Sequence, residues 1–142
     1  MLVSQILKAK GDMVFTASPA DTVAAVAALL QARRVGAMVV LDEAKDVVGI
    51  ISERDVVRVV AEQGAGGLGQ PIFECMTREV LFAEPQETVD ELLGRMTDRR
   101  VRHLPVVSDG RLVGIVSIGD LVKSKIAETV AEAETLKAYI SA

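Results

Sequence analysis

The feature that most constrains the fold of this chain is an internal duplication. When the sequence is shifted by 66 positions, residues 14–41 lie on residues 80–107, and nine of these 28 positions are identical. With one residue deleted from the first copy, residues 47–57 lie on residues 112–122, and six of eleven positions match. Unrelated segments do not keep this order with a single gap, so we interpret the chain as one unit repeated.

Each copy predicts the same succession of elements. A short amphipathic lead is followed by a strand, a helix capped by Thr22 or Thr88, two strands joined by a tight turn, and a helix that begins at Ser52 or Ser117. The order is β-α-β-β-α, an α+β (α/β) fold in which the two sheets pack face to face about a pseudo-twofold axis. The predicted strands are Val14–Thr16, Ala37–Leu41 and Val47–Ile51, then Val80–Phe82, Leu104–Val107 and Leu112–Val116.

This repeat divides the chain into four segments. Residues 1–62 are the first copy with its leading helix, 63–71 a Gly-rich linker, 72–126 the second copy, and 127–142 a helical extension. The linker lacks the Gly-Lys-Ser/Thr ending of a phosphate-binding loop, so we expect a flexible surface segment.

The last helix is predicted to continue to about Ile140. Its apolar residues form a stripe that must be buried on its own domain or on a second subunit. The stripe consists of Val122, Ile126, Val130, Ala133, Leu136 and Ile140.

Composition excludes several classes of protein. The formal net charge of −4 disfavours a nucleic-acid binder, because phosphate neutralisation needs a basic surface. A single cysteine, Cys75, and a single histidine exclude an internal disulfide and a multi-cysteine or multi-histidine metal centre; Cys75 is expected to be a small buried residue. No apolar run reaches the ~18 residues that span a bilayer, and the N-terminus lacks a signal-peptide pattern. We therefore expect a cytoplasmic protein without a membrane partner.

Two copies of a Ser-x-x-Asp motif carry the most chemical information. Ser52 or Ser117 begins a helix after a strand, and Asp55 or Asp120 lies in its first turn. Free N–H groups at a helix start bind anions, and a carboxylate there can accept two hydrogen bonds from vicinal ribose hydroxyls. The same pattern is typical of a helix N-cap, so a purely structural role is the alternative.

The neighbours of this motif differ between the copies. Gly119 allows a ligand to approach the main chain, whereas Arg54, at the equivalent position, offers its guanidinium to a phosphate. No nucleophile with an oriented base is evident, so no catalytic residue is predicted.

Together these motifs resemble a tandem CBS-domain pair, or Bateman module. The pattern is Thr-Val at the first helix, Arg-Arg-Val before an apolar strand, and Val-Gly-Ile-x-Ser-x-x-Asp, all present twice, with Met76-Thr77 between the copies. Residues 102–107 and 113–120 are especially similar to the second repeat of bacterial stand-alone members. The resemblance covers nearly all of residues 1–126, and the helical tail resembles that of the same subgroup.

The resemblance implies a function. Family members bind adenosine-containing ligands, namely AMP, ADP, ATP, NAD(H) or S-adenosylmethionine, in two clefts between the repeats. It implies that Asp55 with Ser52, and Asp120 with Ser117, lie at the ribose and phosphates. It also implies that adenine contacts residues 36–39, including Gly36 and Ala37, in one cleft and residues 104–106, including Pro105, in the other. Met76 and Thr77 are implied to contact the first ligand, and Arg78 is implied to lie near phosphate.

The two clefts are not expected to be equivalent. Lys10-Gly11 stands where the second copy has Met76-Thr77, and Gly36-Ala37 stands where it has Arg102-His103. Arg100, Arg102 and His103 add positive charge to the second cleft, which should accept more phosphates. For His103, the alternative is a partly buried, hydrogen-bonded structural histidine.

The sequence therefore predicts a non-enzymatic regulatory module that senses an adenosine-containing ligand. It is expected to form a homodimer or higher oligomer and to signal to a protein partner in trans. The alternative is a degenerate CBS pair that serves as a dimerisation or interaction scaffold without a physiological ligand.

Overall fold

The computed structural model describes residues 1–11 and 13–141. The described elements belong to the α+β class, which confirms the fold class expected from the repeat. In chain order they are α1 (Val3–Lys10), β1 (Thr16–Ala17), α2 (Val23–Arg33), β2 (Ala37–Leu41), β3 (Val47–Ser52), α3 (Glu53–Gln63), two 3-10 helices (Gly64–Gly69 and Ile72–Glu74), α4 (Val89–Arg99), β4 (His103–Ser108), β5 (Arg111–Ser117) and α5 (Ile118–Ser141).

The chain divides into two compact units. The central unit comprises Val14–Leu81, and the terminal unit comprises Met1–Met13 together with Phe82–Ala142. This division differs from the sequence repeat in one respect, since the leading helix α1 belongs to the unit that contains the second copy. Its repeat counterpart, Ile72–Glu74, belongs to the unit that contains the first copy.

The central unit is built on a three-stranded sheet. Strand β1 runs parallel to β2, and β2 runs antiparallel to β3. Helix α2 begins where the Thr22 hydroxyl accepts a hydrogen bond from the Ala25 N–H at 3.1 Å, which satisfies a donor at the helix start. Branched aliphatic side chains from both helices and the sheet fill the core, which includes Val23, Val26, Leu30, Val40, Ile51, Val59 and Ile72.

The terminal unit is built on an antiparallel pair, β4 and β5. The strand expected at Val80–Phe82 is reduced to an isolated parallel bridge between Ala83 and Val106. Helix α1 packs against β5, where Leu7 covers Gly114; a Cβ atom on Gly114 would lie 2.6 Å from Leu7 Cδ2. The main-chain N–H of Val3 also donates to Glu87 O at 2.9 Å, so α1 is joined to the segment before α4.

The Gly-rich segment between the copies is more regular than the flexible linker expected from its composition. Gly64–Gly69 forms a 3-10 helix, and Gly67 is buried against α3. A Cβ atom on Gly67 would lie 2.8 Å from Val59 Cγ1, so glycine permits this close packing. The Gln70 carbonyl then accepts a hydrogen bond from the Val23 N–H at 3.0 Å, which ties the segment to α2.

Helix α5 runs unbroken from Ile118 to Ser141, as the apolar periodicity predicts. Of its side chains, Leu121 is fully buried, whereas Val122, Ile126, Val130, Leu136 and Ile140 are all exposed. Among residues 1–11 and 13–141, no helix combines the length and apolar character needed to cross a bilayer.

Candidate functional site

The first Ser-x-x-Asp motif forms the start of α3 in the central unit. Strand β3 ends at Ser52, and Asp55 follows in the first helical turn. Asp55 Oδ2 accepts hydrogen bonds from Ser52 N at 2.9 Å and Ser52 Oγ at 3.1 Å, while Asp55 N donates to Ser52 Oγ at 3.3 Å. This reciprocal pattern is a capping box, so the capping interpretation is confirmed here.

Arg58 forms an ion pair with the second oxygen of the Asp55 carboxylate. Its Nη1 lies 3.0 Å from Asp55 Oδ1, and its Nη2 donates to the Cys75 carbonyl at 2.8 Å. Asp55 is 4% exposed, so the pairing keeps a buried carboxylate from lying without a partner. Both oxygens of Asp55 are thus engaged within the central unit.

The second motif forms the start of α5 in the terminal unit and is arranged differently. Asp120 Oδ2 accepts from Ser117 N at 2.8 Å, and Asp120 N donates to Ser117 Oγ at 3.1 Å. Lys10, at the end of α1, donates from Nζ to the same Oδ2 at 2.6 Å and to the Ile115 carbonyl at 3.0 Å. The Asp120 side chain is 25% exposed, and within the described part of the chain its Oδ1 atom accepts no hydrogen bond. Asp120 therefore keeps an acceptor available to a ligand.

The surroundings of Asp120 favour its charged form. Burial raises the pKa of this carboxyl, but the Lys10 ammonium and the Ser117 N–H and hydroxyl outweigh burial, so the pKa lies below its ordinary value. The group is consequently a carboxylate at neutral pH, which is the form that accepts hydrogen bonds from a diol.

Four other predicted residues of the central unit lie along β3. The Gly36 carbonyl accepts from Glu53 N at 3.0 Å, and Ala37 pairs with Ser52, so both lie at the β3–α3 junction. Thr77 exchanges two main-chain hydrogen bonds of 2.9 Å with Ile50. Met76 covers Gly49, where a Cβ atom would lie 2.5 Å from Met76 Sδ. The structure therefore brings these four residues to the strand that ends at Ser52.

Arg54 and Arg78 are the two arginines of the central unit that were predicted to lie near phosphate. Arg54 is exposed on α3. Arg78 donates from Nη2 to the Phe73 carbonyl at 2.7 Å, and its guanidinium lies 5.3 Å from the centroid of the Phe73 ring. These contacts hold Arg78 against the 3-10 turn at Ile72–Glu74.

In the terminal unit the predicted residues lie around the β5–α5 junction. The Arg102 carbonyl accepts from Ile118 N at 2.8 Å, and His103 pairs with Ser117 across the two strands. Among the described atoms, a Cβ atom on Gly119 would meet only Ser117 Oγ at 3.6 Å, so the main chain there is open on that side. Pro105 is buried farther along β4, and its carbonyl accepts from Ala83 N at 2.9 Å.

Sequence reasoning did not identify Lys10 and Arg58 as partners of the two carboxylates. Arg58 follows Asp55 by three residues on one helix, a spacing that predicts an ion pair. Lys10 is 110 residues from Asp120, and only the break in the repeat at Lys10-Gly11 set it apart. In the alignment of the two copies, Lys10 stands at the position that Met76 of the Met76-Thr77 doublet holds in the central unit.

Two further candidates for chemistry are a metal cluster and Cys75. Within residues 1–11 and 13–141, no three side chains of His, Cys, Asp or Glu gather closely enough to hold a metal ion. Cys75 is half-buried, and burial together with the nearby Asp55 charge raises the pKa of its thiol. A raised pKa leaves less reactive thiolate at neutral pH.

Comparison with known proteins supports the repeat organisation. The family model of the CBS domain matches this chain twice, over residues 10–62 and 72–126. The solved structure of the CBS-domain containing protein ATU1752 from Agrobacterium tumefaciens is 43% identical, with a TM-score of 0.85, and the match covers 87% of this chain and 92% of that one.

Two similar solved structures contain adenosine compounds. The CBS-domain pair of protein MJ0100, in complex with 5′-methylthioadenosine and S-adenosyl-L-methionine, is 29% identical with a TM-score of 0.80, covering 90% of this chain and 98% of that one. The CBS domain protein PAE2072 from Pyrobaculum aerophilum, complexed with AMP, is 28% identical with a TM-score of 0.76, covering 84% and 89%.

Proposed function

The chain belongs to the CBS-domain family, and from that premise we propose that it is a regulatory module that binds an adenosine-containing ligand at the β5–α5 junction. The observation that carries this proposal is the state of the Asp120 carboxylate. It is charged, a quarter exposed, and retains the Oδ1 acceptor. The adenosine compounds bound by MJ0100 and PAE2072 support this ligand class.

A ribose supplies the chemistry that Asp120 needs. The two vicinal hydroxyls donate to the carboxylate, and such charge-assisted bonds are roughly twice as strong as neutral ones. Gly119 leaves the adjacent main chain open, and Ser117 offers a hydroxyl beside the same site. Arg102 and His103 lie at the same junction, where the charge of Arg102 favours an anionic ligand such as AMP, ADP, ATP or NAD(H) over the sulfonium of S-adenosylmethionine.

We propose that the two motifs have different roles. Asp55 is buried with both oxygens engaged by Ser52 and Arg58, so a ribose binds there only after Arg58 has been displaced. Opening that pair costs binding free energy, because a buried charge is left without its partner. The Asp120 site therefore binds with the higher affinity.

The contact between Lys10 and Asp120 provides a way to signal. Lys10 ends α1 and Asp120 lies at the start of α5, so their bond joins two helices of the terminal unit. A ligand that replaces the ammonium as partner of Asp120 has different affinities for the joined and the released arrangements, which is the requirement for a switch. We propose that a partner protein in the cytoplasm reads this change in trans, and that the chain, which has no catalytic role of its own, acts as a homo-oligomer.

Thermal unfolding with and without ligand tests the proposal. AMP, ADP, ATP, NAD⁺, NADH and S-adenosylmethionine are each added to the full chain, with inosine monophosphate as a control for recognition of adenine. A specific ligand at 100 times its Kd stabilises the folded chain by about 2.7 kcal/mol and raises the melting temperature. If no adenosine compound moves the melting temperature, the scaffold interpretation replaces the sensor.

A further inference from the structure

Most of the apolar stripe of α5 is exposed. The base of the helix is held on one side, where Leu121 is buried, Lys125 lies 3.0 Å from Asp90, and Glu128 lies 3.4 Å from the amino group of Met1. Every described residue from position 129 to 141 is exposed. A helical end of this length is marginal in water on its own, because isolated helices shorter than about 12–15 residues are barely stable.

The stripe lies on a different side of α5 from these contacts. At about 100° per residue, Val122, Ile126 and Ile140 project roughly 110° around the helix from Leu121. The exposed fractions along it are large, at 59% for Ile126, 60% for Leu136 and 74% for Ile140. The unit's own body therefore leaves this face open to another molecule.

A seam with the spacing of a two-stranded coiled coil runs along the same face of α5. Its positions alternate four and three residues apart, which keeps the seam facing a partner helix. It contains five residues of the stripe, Val122, Ile126, Ala133, Leu136 and Ile140, and has Thr129 where the stripe has Val130. The residues that flank the seam are Lys125, Glu132 and Tyr139 on one side, and Lys123, Val130 and Lys137 on the other.

Charge complementarity selects both the partner and its direction. If the same helix of a second copy runs parallel and in register, Glu132 of each copy faces Lys137 of the other, because flanking positions five residues apart meet. If the second helix runs antiparallel with the apolar layers matched, Glu132 faces Glu132, and Lys123 faces Lys137. The parallel arrangement pairs opposite charges, whereas the antiparallel one opposes like charges.

We propose that α5 is a self-association surface, in which residues 122–140 pair with the same segment of a second copy as a parallel, in-register coiled coil. The inference does not rest on nucleotide binding, and it is tested on the full chain without ligand. It names the surface and the direction of an assembly, neither of which follows from the CBS repeats.

Disulfide formation tests the direction of pairing. In a parallel pair Leu136 faces itself, so Leu136→Cys forms a covalent dimer under mild oxidation. The matched control is Glu134→Cys, on the outer face two residues away, which stays monomeric on a denaturing gel. Wild-type chain, with Cys75 alone, shows the background. Equal cross-linking of both variants, or cross-linking of Leu136→Cys only when it is mixed with Ile126→Cys, overturns the proposal.

Charge reversal tests the same pairing without a cysteine. Glu132→Lys should weaken self-association roughly tenfold in sedimentation equilibrium, since two attractive pairs become repulsive. Adding Lys137→Glu to the same chain restores both pairs and the affinity. Both residues are exposed, so the melting temperature of the unit serves as the folding check. An assembly that is indifferent to Glu132→Lys, or that the double variant fails to restore, contradicts the proposal.

Discussion

The ammonium of Lys10 lies 2.6 Å from Oδ2 of Asp120, although the two residues are 110 positions apart. In the central unit the equivalent carboxylate of Asp55 is paired with Arg58 from its own helix. One ion pair therefore joins two helices of a unit, whereas the other lies within a single helix. The two copies of the motif are chemically distinct for this reason.

Replacing Lys10 should separate recognition of phosphate from recognition of ribose. Lys10→Met removes a cation beside Asp120 and also removes a competitor for its carboxylate. We expect about tenfold weaker binding of AMP, since a hydrogen bond to a charged group contributes ~1.5–3 kcal/mol, while adenosine binds equally or more tightly. Isothermal titration calorimetry measures both affinities.

Lys8→Met is the matched control for this change. Lys8 is an exposed residue of the same helix and forms no ion pair with a described residue. It should leave the ratio of AMP to adenosine affinity unchanged. An equal loss of AMP and adenosine binding in Lys10→Met would contradict the expectation that the Lys10 ammonium interacts with the phosphate of AMP.

Asp120→Asn should have a small effect on stability that depends on pH. Asparagine retains an acceptor for the Ser117 N–H but loses the ion pair with Lys10, so the free energy of unfolding falls by less than about 1 kcal/mol at pH 7. The pKa of Asp120 is lowered in the folded chain, so its contribution is present above the unfolded value near ~3.9 and is lost as the pH falls through the folded value. Urea unfolding at pH 7 and pH 3 should show the gap between wild type and variant closing in acid. A gap that widens in acid would refute this assignment.

Asp55→Ala should destabilise the chain more strongly. It leaves Arg58 and the Ser52 N–H without their shared partner at a buried position, for an expected loss of about 2–3 kcal/mol in urea unfolding. Asp90→Ala is the control, because Asp90 also forms an ion pair, with Lys125, but is 69% exposed and should cost less than about 0.5 kcal/mol. Similar losses in the two variants would mean that Asp55 does not have the structural role described here.

Gly49→Ala should be costly because of close packing. Its Cβ atom would lie 2.9 Å from the Thr77 carbonyl oxygen, and the main chain there moves less easily than a side chain. We expect a loss of about 1–3 kcal/mol in urea unfolding. Gly66→Ala, where a Cβ atom meets no atom of residues 1–11 and 13–141 within 4 Å, should change stability by less than about 0.5 kcal/mol. Near-neutral behaviour of both would show that the Met76-Thr77 segment is loosely held.

The sequence predicted the element order because the duplication and the apolar periodicity are local signals. Thr22 and Thr88 cap helices as their position before an apolar run indicates. The strand predicted near Val80 is reduced to a bridge at Ala83, because strand formation depends on pairing with a neighbouring strand, which the apolar periodicity of a segment does not report. The packing of α1 against β5 could not be predicted either, because a repeat determines the order of the elements but not which copy the leading helix packs against.

The candidate site was predicted in part. Ser117 and Asp120 were found from their spacing, but the same spacing serves a cap and a ligand, and the structure shows that the cap is present in both copies. What distinguishes the copies is the counter-charge of each carboxylate. For Asp120 that charge comes from another helix, so it depends on tertiary packing that no local pattern encodes.

Calorimetric titration of AMP into wild type, Asp120→Asn and Asp55→Asn tests the central claim most directly. The account predicts that wild type binds, that Asp120→Asn binds at least about tenfold more weakly while its unfolding midpoint at pH 7 stays close to that of wild type, and that Asp55→Asn loses less affinity. An Asp120→Asn chain that binds AMP as tightly as wild type would contradict it.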